Sequence, residues 1–264
     1  MKLEFKKDAL LNGINIVSKA IPSRTTMSIL ECILIDADAG EIKLTGNDME
    51  LGIETKVEGS ILERGKIALE AKLFYEIIRK LPDGDTPVTI TSDNRFNTVI
   101  ECENAVFNIQ GRDGEEFSYL PYIERDQHIS LTQFTLKEAI RQTIFSISPN
   151  DSNKMMAGEL LEVKDDFLKV VSLDGHRISI RNIQLKEHYD NHKVIVPGKT
   201  LSEISKILTG DNEKEVLIYF SKNHILFEFD DTVVVSRLID GEYFKIDHML
   251  SSDYETRVKL NKRD

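Results

Sequence analysis

The sequence is poor in the features that mark secreted and membrane-spanning proteins. Only two cysteines, Cys32 and Cys102, occur among 264 residues, and both lie in apolar stretches. Two cysteines are too few for a disulfide scaffold or a metal cluster, so we predict that both are reduced and lie in the core. No run approaches the ~18 apolar residues of a membrane span. Residues 1–8 lack an apolar signal-peptide core, which predicts a cytoplasmic protein.

Positive charge is also in deficit. The chain has 34 Lys and Arg against 45 Asp and Glu, a net charge of -11 at pH 7. Proteins that coat nucleic acid through their net charge are usually basic, so this balance argues against that class. It leaves open a protein that gathers its basic residues on one face. The 41% of hydrophobic residues suffices for a core, and the length favours two domains.

An internal repeat organises the chain. The segments 70–81 and 197–208 match at an offset of 127, and an Asp-Gly-Glu triplet at 113–115 recurs at that offset. Lys7–Leu10 pairs with Lys137–Ile140 at an offset of 130. Matches that recur in order over the whole length predict two copies of one domain. We assign the copies to residues 1–124 and 125–250, and the segment 251–264 is either the start of a third copy or a ragged tail.

Each copy has the same predicted layout, in which a strand and an amphipathic helix are followed by strands, a second helix and further strands. Leu10, Ile14 and Val17 recur at helical spacing, and a second helix over 72–81 ends at a Pro-Asp-Gly stop signal. Short runs such as 88–92 have the composition of antiparallel strands. The predicted fold class is therefore α+β, with tandem pseudo-duplicated domains, helices on one face and antiparallel sheets on the other.

The predicted helices carry many of the cations, whereas turns and loops carry much of the acid. Such a basic face suits contacts with phosphates that do not read sequence, although exposed Lys and Arg are often only a solvated surface. The basic residues on the polar faces are Lys6, Lys7, Lys19, Lys72, Arg79, Lys80, Lys137, Arg141, Lys199 and Lys206.

Five segments together resemble the bacterial DNA polymerase III beta subunit, the replicative sliding clamp. They are 44–50, 71–84, 173–178, 194–199 and 238–241, and their order and spacing make the resemblance specific. The similarity covers the whole chain. It implies the DNA-clamp fold and a non-catalytic processivity factor, without cofactor or metal, that encircles duplex DNA and tethers the polymerase.

In the family, a subunit has three such domains, and two subunits close head to tail into a ring lined by helices. The implied partners are double-stranded DNA, bound without sequence preference, the polymerase III alpha subunit, the clamp loader and other proteins that carry clamp-binding motifs. No membrane contact is implied. The family's third domain supplies half of each dimer interface. A chain that ends at Asp264 would lack most of it, through truncation, which we favour, or as a natural short variant.

The resemblance carries three sets of site residues onto this chain. The expected DNA-contacting residues are Arg24, Lys72, Arg79, Lys80, Asn150, Lys154, Lys199 and Lys206. The expected half of a pocket for partner peptides consists of Met156, Leu173, Gly175, His176, Arg177, Ile178, Phe244, His248 and Met249. The expected subunit interface consists of Leu73, Ile77, Leu81, Phe107 and Ile109, with ordinary core packing as the alternative for Ile77 and Leu81.

Other functions remain as alternatives. The chain could be a clamp-like interaction module that binds replication partners without encircling DNA. Asp174 and His176 could form a catalytic pair with Ser172 or Ser179, but a turn capped by Asp174 accounts for the same pattern. Glu187, His188 and His192 could suggest a metal site, but they fall in a segment expected to be a polar loop. We therefore predict no enzymatic activity.

Overall fold

A computed structural model describes residues 1–148, 153–246, 249–250 and 255–261. The α-helices are α1 Lys7–Val17, α2 Ala71–Lys80, α3 Gln133–Thr143 and α4 Gly198–Ile207. Strands of the first half are β1 Lys2–Phe5, β2 Cys32–Asp36, β3 Lys43–Asn47, β4 Leu51–Lys56, β5 Gly59–Glu63, β6 Lys66–Glu70, β7 Val88–Ser92, β8 Asn97–Cys102, β9 Ala105–Gln110 and β10 Arg112–Asp113. Those of the second half are β11 His128–Thr132, β12 Gly158–Leu173, β13 Ile178–Pro197, β14 Glu215–Phe220, β15 His224–Phe229 and β16 Thr232–Arg237.

The strands form antiparallel sheets, one of which joins the two halves. Its order is β10-β6-β2-β3-β4-β16-β15-β14-β11, and the two halves meet where β4 pairs with β16. Inside this pair the hydroxyl oxygens of Thr55 and Thr232 lie 2.9 Å apart, so the buried junction is also hydrogen-bonded through side chains. A second sheet has the order β5-β1-β7-β8-β9, and β12 and β13 form a long hairpin.

The nine-stranded sheet places the helices on one face only. Successive side chains of a strand point to opposite faces. In β2, Ile33 and Ile35 belong to the core that contains the buried sides of all four helices. Cys32 and Leu34 instead pack with Phe117 on the other face. That face is covered by the connector 117–125, whose Ile123 packs against β14, β15 and β16.

The helices repeat with a spacing that differs from the sequence match. Buried positions of α1 and α3 correspond at an offset of 126, as Leu10 with Leu136 and Ile14 with Ile140. The match at 130, between Lys7 and Lys137, is therefore wrong by about one helical turn. Elements α2 and α4, like β8 and β15 and β9 and β16, correspond at 127.

In each copy, one lysine of the first helix contacts the end of the second helix. The ammonium of Lys7 donates to the carbonyl of Leu81 at 2.6 Å, just beyond α2, and contacts Asp83 at 2.5 Å. Lys137 donates to the carbonyl of Leu208, just beyond α4, at 2.6 Å. The last carbonyls of a helix have no partner within it and carry partial negative charge, so a cation satisfies them well. These two ammonium groups therefore serve packing between helices.

Several sequence expectations can be compared with these elements. The prediction that Cys32 and Cys102 are free and buried is confirmed. The expected polar loop around Glu187, His188 and His192 is wrong, because all three lie in β13, where His192 stacks on Phe220 with ring centroids 4.5 Å apart. In the described part of the chain, no helix is long and apolar enough to cross a membrane.

Candidate DNA-binding face and peptide pocket

The exposed sides of the helices carry basic residues at equivalent positions of both copies. Lys72 and Arg79 on α2 correspond to Lys199 and Lys206 on α4, and all four are exposed. The opposite sides of the same helices are buried, through Phe74 and Ile78 on α2 and Leu201 and Ile204 on α4. Apolar packing thus fixes which side of each helix presents its cations. Glu70 strengthens the start of α2, since its carboxylate accepts from the N–H groups of Lys72 and Leu73.

The remaining residues of the predicted DNA-binding set lie in different places. Lys80 is exposed at the end of α2, and Arg24 is exposed after α1. Lys154 begins a short 3-10 turn and is exposed. Asn150 lies outside the described residues. The structure therefore gathers Lys72, Arg79, Lys80, Lys199 and Lys206 on α2 and α4, with Arg24 and Lys154 on connecting segments.

Most of the helix cations have a carboxylate partner, which sequence reasoning missed. Arg79 contacts Glu76 at 2.7 Å, Lys80 contacts the same carboxylate at 3.4 Å, and Lys206 contacts Glu203 at 2.7 Å. The hydrogen bond from Arg79 lowers the pKa of Glu76, so this carboxylate is charged at neutral pH. The i, i+3 and i, i+4 spacings in the sequence are a usable signal for these pairs.

Lys199 is paired across the two copies. Its ammonium contacts Asp48, in the β3–β4 turn, at 2.5 Å, and the Asp48 side chain is only 8% exposed. Asp48 also accepts from the N–H groups of Glu50 and Leu51. The carboxylate therefore closes its own turn and holds Lys199 at the start of α4.

Asp174 occupies the equivalent turn of the second copy and is a capping residue. Its carboxylate accepts from the N–H groups of His176, at 3.0 Å, and Arg177, at 3.2 Å, and from Arg177 Nε at 2.9 Å. These bonds, first that from His176, lower the pKa of Asp174. The capped-turn interpretation is confirmed. Gly175 has a φ of 89° at the centre of this turn, and Met49 takes the same conformation, φ 71°, in the first copy.

The serines proposed as nucleophiles have other partners. Ser172 is buried and donates to the carbonyl of Thr143 at 2.5 Å. The hydroxyl of Ser179 lies 2.7 Å from that of Ser146. A nucleophile would need to contact its base. These contacts instead hold β12 and β13 against the end of α3.

Apolar residues of the predicted peptide pocket come together in one cluster. Leu173 is buried there with Leu160, Val171, Ile195, Tyr243 and Ile246. Met156, Ile178 and Phe244 are partly buried and pack against this cluster, as does Met155. The sequence comparison missed Met155 and Tyr243. Tyr243 fixes the segment after β16, since its hydroxyl donates to the carbonyl of Val171 at 3.3 Å.

The polar residues of the predicted pocket lie at its exposed edge. Gly175, His176 and Arg177 are exposed, and Met249 is 50% exposed. Arg177 lies over the ring of Phe145, 6.0 Å from its centroid, and that ring is 58% exposed. Phe145 is thus an additional apolar side chain beside the arginine. His248 lies outside the described residues. A cavity of about 550 Å³ beside the cluster is lined by Leu160, Ile195, Ile239 and Tyr243, with Lys222 and Lys245.

A carboxyl group is buried behind this cluster. Glu159, in β12, has no solvent-exposed surface, and Thr143 Oγ1 lies 3.1 Å from its Oε2. Its Oε1 has no hydrogen-bond partner in the described residues. Burial raises the pKa of Glu159 to about 8. The group is therefore a neutral acid at neutral pH.

The predicted subunit interface divides into exposed and buried residues. Phe107, on the edge strand β9, is 37% exposed, and Leu73 on α2 is 46% exposed. Ile109 is partly buried, whereas Ile77 and Leu81 are 5% and 3% exposed within the core. Core packing, the alternative considered for Ile77 and Leu81, accounts for their burial. Val106, which is 54% exposed on β9, was not anticipated.

No group of three or more His, Cys, Asp or Glu side chains within the described ranges is placed to hold a metal ion. Glu187, His188 and His192 line a shallow cavity of about 280 Å³ together with His128 and Phe220. Glu187 and His188 fall where the pairing of β13 with β12 is irregular, between Gln184 and Tyr189, whereas His192 is paired with Val163.

Comparison with known proteins assigns the family. The model of the DNA polymerase III beta subunit, N-terminal domain, matches residues 1–121, and that of the central domain matches residues 130–245. A Staphylococcus epidermidis protein named beta sliding clamp is 34% identical over 272 residues, covering 100% of this chain and 71% of the relative.

Solved structures agree with this assignment. A chain described as a DNA polymerase III beta subunit from Eubacterium rectale is 66% identical with a TM-score of 0.94, covering 97% of this chain and 69% of that one. The DNA polymerase sliding clamp of Bacillus subtilis is 34% identical with a TM-score of 0.91, covering 96% and 68%. The fold expected from the sequence is confirmed, and the chain belongs to the DNA polymerase III beta subunit family, the beta sliding clamps.

Proposed function

We propose that this chain acts as a subunit of a DNA sliding clamp, a non-catalytic processivity factor, whose helix face contacts duplex DNA. The observation that carries the proposal is the repetition of exposed cations at equivalent positions of α2 and α4. The rest of a chain with net charge -11 is acidic, so the basic side chains are concentrated where both copies present helices. Flexible Lys and Arg on a helix surface bind phosphates without reading base sequence.

The role of this face is tested by charge reversal. In the full chain, Lys72→Glu, Arg79→Glu and Lys199→Glu are combined, and binding of a fluorescent duplex is measured by anisotropy over a range of salt concentrations. Each lost phosphate contact reduces the slope of log affinity against log salt by about 0.9. Each reversal is also measured singly, and the matched control for a single reversal is Arg125→Glu, because Arg125 contacts Glu228 on the sheet face opposite the helices. Equal affinity and slope in parent and triple variant would refute the proposal.

The proposal extends to a tethering site for partner peptides. The apolar cluster around Leu173 lies next to exposed His176 and Arg177, a combination that suits large apolar side chains and a peptide backbone. The expected occupants are segments of the polymerase III alpha subunit, the clamp loader and other clamp-binding proteins. A short synthetic peptide with leucine and phenylalanine side chains serves as probe in calorimetry. Arg177→Ala should weaken binding, whereas Phe167→Ala, an exposed site elsewhere on β12, should not.

The edge strand β9 is proposed as the contact with a neighbouring subunit. It corresponds to β16, which pairs with β4 between the two copies. In β9 the equivalent edge is unpaired within the described residues, and Val106 and Phe107 are exposed beside it. An unpaired edge with exposed apolar residues is suited to strand addition. In the family, this strand meets the third domain of the partner subunit.

A further inference from the structure

Three glutamates lie beside the exposed cations of the helix face. Glu76 on α2, Glu138 on α3 and Glu203 on α4 each precede their cationic partner by three residues. The pair on α3 is bidentate, with both distances from Arg141 to Glu138 at 2.7 Å. Glu76 and Glu203 occupy equivalent positions of the two copies, so the acid is repeated together with the base.

The carboxylates lie deeper than the cations that they contact. Their side chains are 36%, 28% and 18% exposed for Glu76, Glu138 and Glu203, against 49%, 65% and 58% for Arg79, Arg141 and Lys206. A phosphate that approaches the helix face therefore meets the cation first. The carboxylate remains within contact distance behind it and repels the phosphate. The cation is shared between an internal anion and an external one, which lowers the gain from each phosphate contact.

We propose that Glu76, Glu138 and Glu203 set the affinity of the helix face for DNA, by competing with phosphates for Arg79, Arg141 and Lys206. This inference rests on the proposed contact between the helix face and DNA. The glutamates are positioning residues: they hold the cations close to the helix and keep each phosphate contact weak. Weak contacts that exchange readily let a protein move along a duplex without being held at one position.

Neutralising the glutamates should tighten DNA binding. Exposed ion pairs are weak because water screens them, so each Glu→Gln substitution should raise the affinity only about two- to fivefold. The sites lie on separate helices, and the combined variant Glu76→Gln, Glu138→Gln, Glu203→Gln should bind about tenfold more tightly or better. Binding of a fluorescent duplex by the full chain is measured at low and moderate salt, with thermal unfolding recorded for every variant.

A closely matched control is present on the other face. Glu228 contacts Arg125 at 3.2 Å, with side chains 30% and 49% exposed, nearly as in the pair of Glu76 and Arg79. Glu228 follows Leu226 by two residues in β15, on the face that packs against the connector. Glu228→Gln changes the net charge by the same amount as each single Glu→Gln substitution on the helices and releases an arginine, but should leave DNA affinity unchanged. The triple Glu→Asp variant keeps the charges and should behave like the parent.

The outcomes separate this inference from the proposed function. Tighter binding in the triple Gln variant, with the Glu228→Gln and Glu→Asp controls at parental affinity, supports it. If charge reversal at Lys72, Arg79 and Lys199 weakens binding but the triple Gln variant has the affinity of the parent, the competition is refuted. The proposed contact between the helix face and DNA is then still supported. If Glu228→Gln tightens binding as much as the Gln variants do, net charge accounts for the effect and the inference fails. If neither reversal nor neutralisation changes binding at low salt, both proposals fall.

Discussion

The buried carboxyl group of Glu159 makes stability depend on pH in a predictable direction. In the folded chain its pKa is raised to about 8 by burial, against an ordinary value of 4.5. Below pH 4.5 the group is neutral in both the folded and the unfolded chain, so it does not lower the free energy of unfolding. As pH rises from 4.5 to 8, the unfolded chain loses this proton and the folded chain keeps it, so stability falls; above pH 8 the loss levels off.

The size of the effect follows from that window. Each pH unit above 4.5 costs about 1.4 kcal/mol, so at pH 7 the penalty is about 3 kcal/mol. The surroundings fit a neutral acid, because its hydrogen-bond partner in the described residues is the uncharged hydroxyl of Thr143. Thr143 Oγ1 lies 3.1 Å from Glu159 and 2.8 Å from the carbonyl of Ala139. A protonated Glu159 can donate to this hydroxyl, which then donates to the carbonyl.

Glu159→Gln tests this reasoning, since an amide of the same shape does not ionise. Urea unfolding followed by circular dichroism should give a stability advantage of the variant over the parent that grows between pH 5 and pH 8, reaching about 3 kcal/mol at pH 7 and about 4 kcal/mol at pH 8. Glu159→Met provides a second neutral variant in case the amide packs poorly. Glu116→Gln makes the same chemical change on an exposed side chain and should give no such trend. A constant difference between Glu159→Gln and the parent across this range would refute a buried neutral acid.

Two further predictions concern the lysine contacts at the ends of α2 and α4 and the equivalent turns that contain Met49 and Gly175. Lys7→Met and Lys137→Met each remove a charged hydrogen bond to a carbonyl at the end of a helix. Chemical denaturation should report that each lowers the free energy of unfolding by about 1 to 2 kcal/mol. Lys6→Met, at an exposed neighbouring position, should change it little. At the equivalent turns, Met49→Gly should stabilise the chain and Gly175→Ala should destabilise it, each by about 1 kcal/mol, because both positions have positive φ. Changes of the same sign at the two turns would contradict this explanation.

Repetition in the sequence predicted the class of fold and the basic residues at equivalent positions of α2 and α4. The match between 70–81 and 197–208 reproduces the correspondence of α2 and α4, and β7 has the bounds of the run 88–92. The first helices were matched one turn out of step, because Lys7 and Lys137 contact equivalent carbonyls from different turns. A helix repeats its faces about every four residues, so a local match does not fix the register.

Tertiary contacts explain what the sequence did not reveal. The segment of Glu187, His188 and His192 is polar, but pairing with β12 keeps it in a strand. In the sequence, Lys199 is indistinguishable from a free surface cation. Its contact with Asp48 exists only because the two copies meet. Glu159 lies in a run that reads as an ordinary strand, and its burial depends on packing against the end of α3. Such long-range pairs leave no local pattern.

The central claim is that the helix side of the chain, and not the sheet side, faces DNA. Site-specific photocrosslinking tests it most directly, with p-benzoylphenylalanine placed at Lys72, at Lys206 or at Tyr122, which is 91% exposed on the connector. With a radiolabelled duplex at low salt, we predict crosslinks from positions 72 and 206 and background levels from position 122. Crosslinking from position 122 that equals or exceeds that from the helices would contradict the account.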